Sequence, residues 1–327
     1  MAVIGVGAIG AHHARNLASR VPGARLAGVA DPMPDAAQEI AAALGGVRWS
    51  LDYEDLLSDD SVEAVVVATP ARFHADAIVA AAQAGKAVFC EKPISHELAE
   101  ADRAIEAAHA AGVPLQIGFQ RRFDRSFRRA HEIVASGQIG QVQMLRSLTR
   151  DPALDRPERV TPWAVFLETL VHDFDVLRFF AAGAEPVEIF AMADALILPD
   201  WKPRGMLDTA MATLRFDSGA FASVDASFQA VYGYDVRAEV FGSEGMITVG
   251  ERSPINMVHH RREGAVNPRP RWFVDLFGDA YVAELSHFVA CVRNGATPDC
   301  TGEDGRAALR IARAAVESVE SGQPVRL

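Results

Sequence analysis

Three groups of residues have the types and spacing to do chemistry. The first is Gly5-Val6-Gly7-Ala8-Ile9-Gly10, a G-x-G-x-x-G turn between an apolar run and an amphipathic stretch. In such a turn the first glycine permits the tight bend. The second lets a pyrophosphate approach the backbone, and the third lets helix and strand pack closely. The helix that follows then offers first N–H groups and a positive dipole end that suit phosphate oxygens. Asp31 follows Gly10 by 21 residues, at the end of the next apolar run. Its carboxylate can accept hydrogen bonds from both ribose hydroxyls and would repel a 2′-phosphate. Pro32 and Met33 follow, with no arginine placed to welcome that phosphate, so NAD rather than NADP is expected.

The second group is Glu91-Lys92-Pro93, directly after an apolar run. This puts it at the carboxyl edge of an open sheet, where ligands bind. Taken alone, the tripeptide also reads as a surface ion pair ahead of a turn. The third group is Glu168-Thr169-Leu170-Val171-His172-Asp173-Phe174-Asp175. On an α-helix Glu168 and His172 are i and i+4 and share a face. The carboxylate could then orient the imidazole and raise its basicity, as a general base requires. An exposed helix pair has the same spacing, and a metal reading lacks a third ligand at regular spacing. Of 32 basic residues only Lys86, Lys92 and Lys202 are lysine, the other 29 being arginine. In so arginine-rich a chain, a compact ammonium at position 92 invites a chemical reason.

The elements that must carry these residues alternate in the first third of the chain. Strands are expected over 2–6, 25–30, 64–68, 87–90 and 115–118, and helices over 9–21, 36–44, 74–84 and 98–111. Such alternation implies a doubly wound parallel sheet with right-handed crossovers. After residue 120 the texture changes: a basic helix over 126–136 precedes longer, β-rich segments. Residues 209–216 and 220–228 flank the turn Asp217-Ser218-Gly219, and 236–241 and 246–249 continue the pattern. Ala210, Ala212, Leu214 and Phe216 share one face, as do Ala220, Ala222, Val224, Ala226 and Phe228, the period-two pattern of an open antiparallel sheet. Its small-residue face can stay bare only under helices or a second subunit. Helices over 283–294 and 303–321 end the chain. The fold class is therefore α/β followed by α+β. The domains are placed at 1–120 for the dinucleotide and 121–327 for substrate and oligomerisation, with the terminal helix free to pack back on the first.

The bulk numbers are consistent with this division. At 327 residues, 50% of them hydrophobic, the chain supports two cores of its own. A net charge of −11 argues against a nucleic-acid footprint, despite the local run Arg121, Arg122, Arg125, Arg128, Arg129. Cys90, Cys291 and Cys300 are odd in number and far apart, as expected of reduced thiols. No apolar run approaches the roughly 18–20 residues a membrane span needs. The opening residues do not resemble a signal peptide, and a cytoplasmic protein is expected.

Together these motifs resemble the Gfo/Idh/MocA family of NAD(P)-dependent oxidoreductases, and within it the inositol 2-dehydrogenases. The resemblance spans almost the whole chain. It rests on the glycine turn, Ala68-Thr69-Pro70 with His74, Gly85-Lys86 leading to Glu91-Lys92-Pro93, and Gly118-Phe119-Gln120-Arg121-Arg122-Phe123-Asp124. His172-Asp173-Phe174-Asp175, Tyr232-Gly233-Tyr234-Asp235 and Gly302-Glu303-Asp304-Gly305 complete it. It implies a Rossmann domain holding NAD with Gly5, Gly7, Ala8, Ile9, Gly10, Asp31, Thr69, Pro70, His74, Glu91 and Lys92. It implies that His172 is the general base, that Lys92 hydrogen-bonds the reacting oxygen, and that Glu168 completes the catalytic set. Substrate would lie between the nicotinamide and the antiparallel sheet. Gln120, Arg121, Thr149, Asp151, Tyr232 and Tyr234 are candidate substrate contacts.

The chain departs from the family pattern at three points. Glu168 stands where an aspartate is usual, Thr149 and Asp151 where inositol dehydrogenases tend to have His and Asn, and Gln120 where they have Met. The expected reaction is NAD-dependent oxidation of a ring secondary alcohol of an inositol, pyranose or related polyol. A keto-sugar or imine reductase, and a non-catalytic NAD and sugar sensor, remain open as alternatives. The resemblance also implies a homodimer or homotetramer formed sheet to sheet.

Overall fold

A computed structural model describes residues 1–153, 157–250, 258–262, 264–266 and 269–327. The chain forms two compact units, Met1–Phe123 with Asp279–Leu309, and Asp124–Gly278 with Arg310–Leu327. The division falls after Phe123 rather than residue 120, and 279–309, placed by sequence in the second domain, belongs to the first unit. An apolar stripe explains this: Leu285, Phe288 and Val289 join Val3, Val66 and Phe89 in one buried cluster.

In the first unit β1 (Ala2–Ile4), β2 (Gly28–Ala30), β3 (Arg48–Ser50), β4 (Ala64–Val67), β5 (Ala87–Glu91) and β6 (Leu115–Gly118) form one sheet. Its order is β3-β2-β1-β4-β5-β6, parallel throughout. The order reverses between β1 and β4, so the carboxyl ends of those strands form the switch point where such sheets bind ligands. β4 reads Ala-Val-Val-Val and is buried on both faces, which is why its pattern is continuous rather than alternating. Helices α1 (Ala8–Ser19), α2 (Pro34–Ala43), α3 (Glu54–Leu57), α4 (His74–Gln83) and α5 (Leu98–Ala111) connect the strands. β3 has no sequence signature because it is a polar, largely exposed edge strand.

The second unit opens on α6 (Arg125–Ala135), capped by Asp124, whose Oδ1 accepts from the N–H groups of Ser126 (2.8 Å) and Phe127 (3.2 Å). β7 (Val142–Arg150), α7 (Val171–Phe180), β8 (Pro186–Asp194), β9 (Thr209–Phe216), β10 (Phe221–Ser227), β11 (Asp235–Gly242) and β12 (Met246–Val249) follow. A small hairpin of β13 (His259–Arg261) and β14 (Gly264–Val266) stands apart. The large sheet runs β12-β11-β7-β10-β9-β8-β15, where β15 is Val325–Arg326. Its pairs are antiparallel except β7 with β10, so the sheet is mixed. The turn between β9 and β10 places Gly219 at φ +87°, a conformation for which glycine carries no Cβ penalty.

Ala210, Ala212, Ala220 and Ala222 are all buried. The π-helical turn Val165–Leu170 and α7 pack on β7, β9 and β10, so helices cover this face. The opposite face carries a cross-strand row, Met246–Phe241–Met144–Phe221, each between 37% and 55% exposed. The chain closes with α8 (Phe273–Asn294), interrupted at Phe277, and α9 (Gly302–Ser321). Among the described residues no helix is long and apolar enough to cross a membrane.

Candidate functional site

In the first unit the predicted cofactor residues gather at the carboxyl ends of adjacent strands. Gly5 has φ +87°, and a Cβ there would meet the backbone of Ala68 and Thr69 at 2.8 Å. A Cβ on Gly10 would stand 1.9 Å from the Gly5 oxygen, whereas one on Gly7 would meet nothing within 4 Å. The three glycines thus serve a bend, an open approach and a close packing. Gly7 is the N-cap of α1, and no side chain caps the helix. The first N–H groups, at Ala8 and Ile9, face the position an anion would take. Asp31 is half-buried: Oδ2 accepts from Val6 N–H and Oδ1 from Met33 N–H, both at 2.9 Å. Its carboxylate is thereby tied to the glycine turn, with lone pairs left to accept further bonds.

The ends of β4, β5 and β6 complete this edge. His74, 2% exposed, reaches the carbonyls of Pro93 through Nδ1 (2.8 Å) and Thr69 through Nε2 (2.7 Å). Carbonyls only accept, so both contacts are made when both ring nitrogens carry protons. His74 therefore clamps the Thr69-Pro70 loop to the one that follows Lys92. Glu91 is buried, its Oε1 2.7 Å from His13 Nε2 and its Oε2 accepting from Lys92 N–H at 3.2 Å. Lys92 is half-buried, and the Lys92–Pro93 peptide is cis. Lys86 and Lys202 have structural partners, the Asp59 carbonyl at 3.0 Å and Asp194 at 2.7 Å. Gln120 and Arg121, in the 3-10 turn Gln120–Phe123 after β6, are 2% and 1% exposed. The buried oxygens Thr69 Oγ1 and Gln120 Oε1 have no hydrogen-bond partner among the described residues. With the uncapped α1 terminus and the space at Gly7, they fit a dinucleotide laid across the switch point.

In the second unit Glu168 lies within the π-helical turn Val165–Leu170, and His172 is the second residue of α7. The two are not on one continuous α-helix, as the i, i+4 reading assumed. The wider i→i+5 turn resets their offset, and such turns recur at functional sites. Trp163 starts the segment in a left-handed conformation, φ +62°, rare for a bulky residue. Its N–H donates to the Gly205 carbonyl, and its own carbonyl accepts from Phe166 and Leu167. His172 is 9% exposed, Glu168 is half-buried, and Asp173 and Asp175 are fully buried.

Asp173 anchors this segment. Ser147 Oγ donates to its Oδ1 at 2.5 Å and Thr149 Oγ1 to its Oδ2 at 2.7 Å. The two hydroxyls project from one face of β7 and fix the rotation of α7 beside His172. Thr149, proposed from sequence as a substrate contact, thus spends its hydroxyl proton on Asp173. Asp151 continues β7, its N–H donating to the Ser227 carbonyl at 2.9 Å. β11 pairs alongside, bringing the Tyr232–Tyr234 loop to the same end of the sheet. Tyr232 OH donates to Asp235 Oδ2 at 2.8 Å, and the Arg269 guanidinium lies 5.6 Å from its ring centroid. Burial first, and then the Asp235 bond, raise the phenol above its usual range. Tyr234 is 8% exposed, with its ring edge-on to Phe277. Sequence reasoning gave no role to Asp173, Ser147, Trp163, His13 or Glu284. Only Asp173 carried a signal, as the residue after a candidate base.

The parallel sheet with a glycine turn at its switch point is the fold of an NAD-binding Rossmann domain. Residues 1–119 match the oxidoreductase family with an NAD-binding Rossmann fold, and residues 127–248 match the GFO/IDH/MocA C-terminal domain. The chain belongs to the Gfo/Idh/MocA family. It is 37% identical to the scyllo-inositol 2-dehydrogenase (NAD(+)) of Bacillus subtilis over 327 residues, covering 100% of this chain and 95% of that protein. To the myo-inositol 2-dehydrogenase of Thermotoga maritima it is 39% identical, covering 99% and 97%. The crystal structure of scyllo-inositol dehydrogenase from Lactobacillus casei with bound NAD(H) and scyllo-inositol superposes with a TM-score of 0.94. That pair shares 29% identity over 99% and 98% of the two chains.

Proposed function

We propose that this protein is an NAD-dependent dehydrogenase that oxidises a ring secondary alcohol of an inositol-like cyclic polyol to the ketone. The observation that carries this reading is the full-length similarity, at 37–39% identity, to scyllo- and myo-inositol 2-dehydrogenases. When bound, NAD supplies the hydride acceptor. His172 takes the hydroxyl proton, and the Lys92 ammonium donates a hydrogen bond to the reacting oxygen as its negative charge develops. Glu168, in the π-helical turn before α7, adds a carboxylate to the catalytic set. Asp173, held by Ser147 and Thr149, keeps His172 at a fixed rotation of its helix. Asp31 selects NAD by repelling a 2′-phosphate. Gln120, Arg121, Asp151, Tyr232 and Tyr234 supply polar atoms for a polyhydroxylated ring.

The apolar row Met246–Phe241–Met144–Phe221 on the open sheet face supports pairing with a second copy of this chain, as a homodimer or within a homotetramer. The odd number of cysteines, far apart in the sequence, supports a reducing compartment such as the cytoplasm. The reading is tested by following NADH absorbance with NAD and a panel of inositols and aldoses. Turnover with at least one cyclic polyol is expected. Binding of NAD without turnover of any polyol would refute it. Reduction of a keto-sugar by NADH with no measurable reverse reaction would replace it with the reductase reading.

A further inference from the structure

Glu284 is a buried carboxyl group that the reaction does not use. It lies on α8, fully buried, and neither side-chain oxygen has a hydrogen-bond partner among the described residues. His13 of α1 and Glu91 of β5 face it, with one donor atom of each residue lying within 4.8 Å of the others. The walls are apolar or aromatic: Phe89 and Tyr281 approach the His13 ring at 5.4 and 5.8 Å. Gln116 of β6 donates to the Glu284 backbone carbonyl at 3.0 Å. Gly118, the register partner of Glu91, leaves room for its carboxylate, since a Cβ there would lie 3.3 Å from Glu91 Cδ and Oε1.

The charges in this box do not balance if both carboxyls ionise. Two carboxylates this close and this dry cannot both stay charged, so one retains its proton. Glu91 receives hydrogen bonds from the His13 ring and the Lys92 backbone. Glu284 receives none. The remaining titratable neighbours are His12 on α1, Cys90 on β5 and Tyr281 on α8 itself. Burial first, then His13, lowers His12 to about 4, leaving it neutral. Burial pushes the Cys90 thiol up, so it too is uncharged.

We propose that His13, Glu91 and Glu284 form a positioning cluster for Lys92, in which a neutral Glu284 lets Glu91 keep its charge for the His13 ring and the Lys92 backbone. This rests on the assignment of Lys92 to the reacting oxygen. Burial, and after it the Glu91 charge, holds the Glu284 carboxyl well above the usual carboxylate range. The folded state therefore binds a proton that the unfolded chain releases above its ordinary carboxylate pKa. Stability contributed by this group is lost as pH rises from there toward the folded value.

The test compares the whole protein with Glu284→Gln, which keeps the shape and the neutral state, and with Glu284→Met, in case the amide fails to fold. Tm is measured from about pH 5 to about pH 9, together with the pH profile of kcat. Either variant should gain Tm on the wild type steadily as pH rises. Glu284→Gln should keep kcat near neutrality within about threefold and carry its alkaline limb about one pH unit higher. Parallel Tm curves would overturn the shared-proton claim, and an unmoved kcat limb would overturn the positioning role. A zinc-dependent rise in wild-type Tm that Glu284→Gln lacks would make the trio a metal site and also overturn the proposal. Diverging Tm curves with no polyol oxidised by any form would refute the assigned reaction and with it the positioning of Lys92, while leaving the shared proton in place.

Discussion

Adding one methyl group at Gly10 and, separately, at Gly7 separates the packing role of the glycine turn from its binding role. At Gly10 the new Cβ would stand 1.9 Å from the Gly5 oxygen, where real contacts stay above 3.0 Å, so the two must part by about 1.1 Å. Gly5 cannot retreat, because its N–H donates to the Ala30 carbonyl at 2.7 Å. Ala68, the next obstacle, is held by its N–H to the Ile4 carbonyl at 2.8 Å. Helix α1 must therefore give way. Such overpacking costs about 1–3 kcal/mol, a fall of about 2–12 °C in Tm for a unit of this size. The α1 N–H groups move with it, and losing one charged hydrogen bond, at about 1.5–3 kcal/mol, weakens NAD binding roughly 10- to 100-fold. At Gly7 φ is −59° and the Cβ meets nothing, so Gly7→Ala should change stability by less than about 0.5 kcal/mol. The methyl would still occupy the pyrophosphate approach and raise the NAD Kd at least about tenfold. Calorimetry gives Tm, and titration calorimetry gives Kd. Unchanged NAD affinity in Gly7→Ala, or unchanged Tm in Gly10→Ala, would refute the reasoning.

Six further substitutions probe other links. Asp31→Asn removes the repulsion of a 2′-phosphate, and the ratio of NADP to NAD kcat/KM should rise at least about tenfold; a ratio that stays fixed assigns the selectivity elsewhere. Ser147→Ala and Thr149→Val each take one donor from buried Asp173 and should cost about 1–3 kcal/mol in denaturant unfolding, with kcat reduced and NAD Kd unchanged. His12 titrates lower in the folded state than in the unfolded chain, so the wild type should lose stability as pH falls from about 6.5 toward about 4. Since the ring is only half-buried, the loss is discounted to roughly 1–2 kcal/mol, and His12→Gln should flatten that limb of the Tm profile. His172→Ala should lower kcat by about 10²- to 10⁴-fold with NAD affinity intact, and Lys92→Arg should be severely impaired because a forked guanidinium cannot replace a compact ammonium.

Local features were legible in the sequence. The strand–turn–helix at Gly5–Gly10, the run 64–68 and the hairpin at Gly219 each depend on residues adjacent in the chain. What escaped was non-local or lacked periodicity. The parallel pairing of β7 with β10 joins segments separated by α7, β8 and β9, and no single-strand pattern encodes it. The allegiance of 279–309 to the first unit depends on Leu285 and Phe288 meeting Phe89, which is visible only once the sheet is built. The π-helical turn breaks the 3.6-residue period on which the Glu168–His172 reading relied. The small-residue face was recognised, but α7 and the π turn cover it, which leaves the methionine- and phenylalanine-bearing face open. Glu284 gave no sign because a buried acid on an amphipathic helix looks like any other polar residue until its neighbours are known.

The central claim is that a hydride leaves a ring carbon of a cyclic polyol for the nicotinamide. The most direct measurement is a single turnover with an inositol deuterated at its carbinol carbons, followed by mass analysis of the recovered cofactor. The account predicts one deuterium in the reduced nicotinamide and a matching ketone, with His172→Ala forming both about 10²- to 10⁴-fold more slowly. Reduced cofactor without deuterium, or none formed from any labelled polyol, would contradict it.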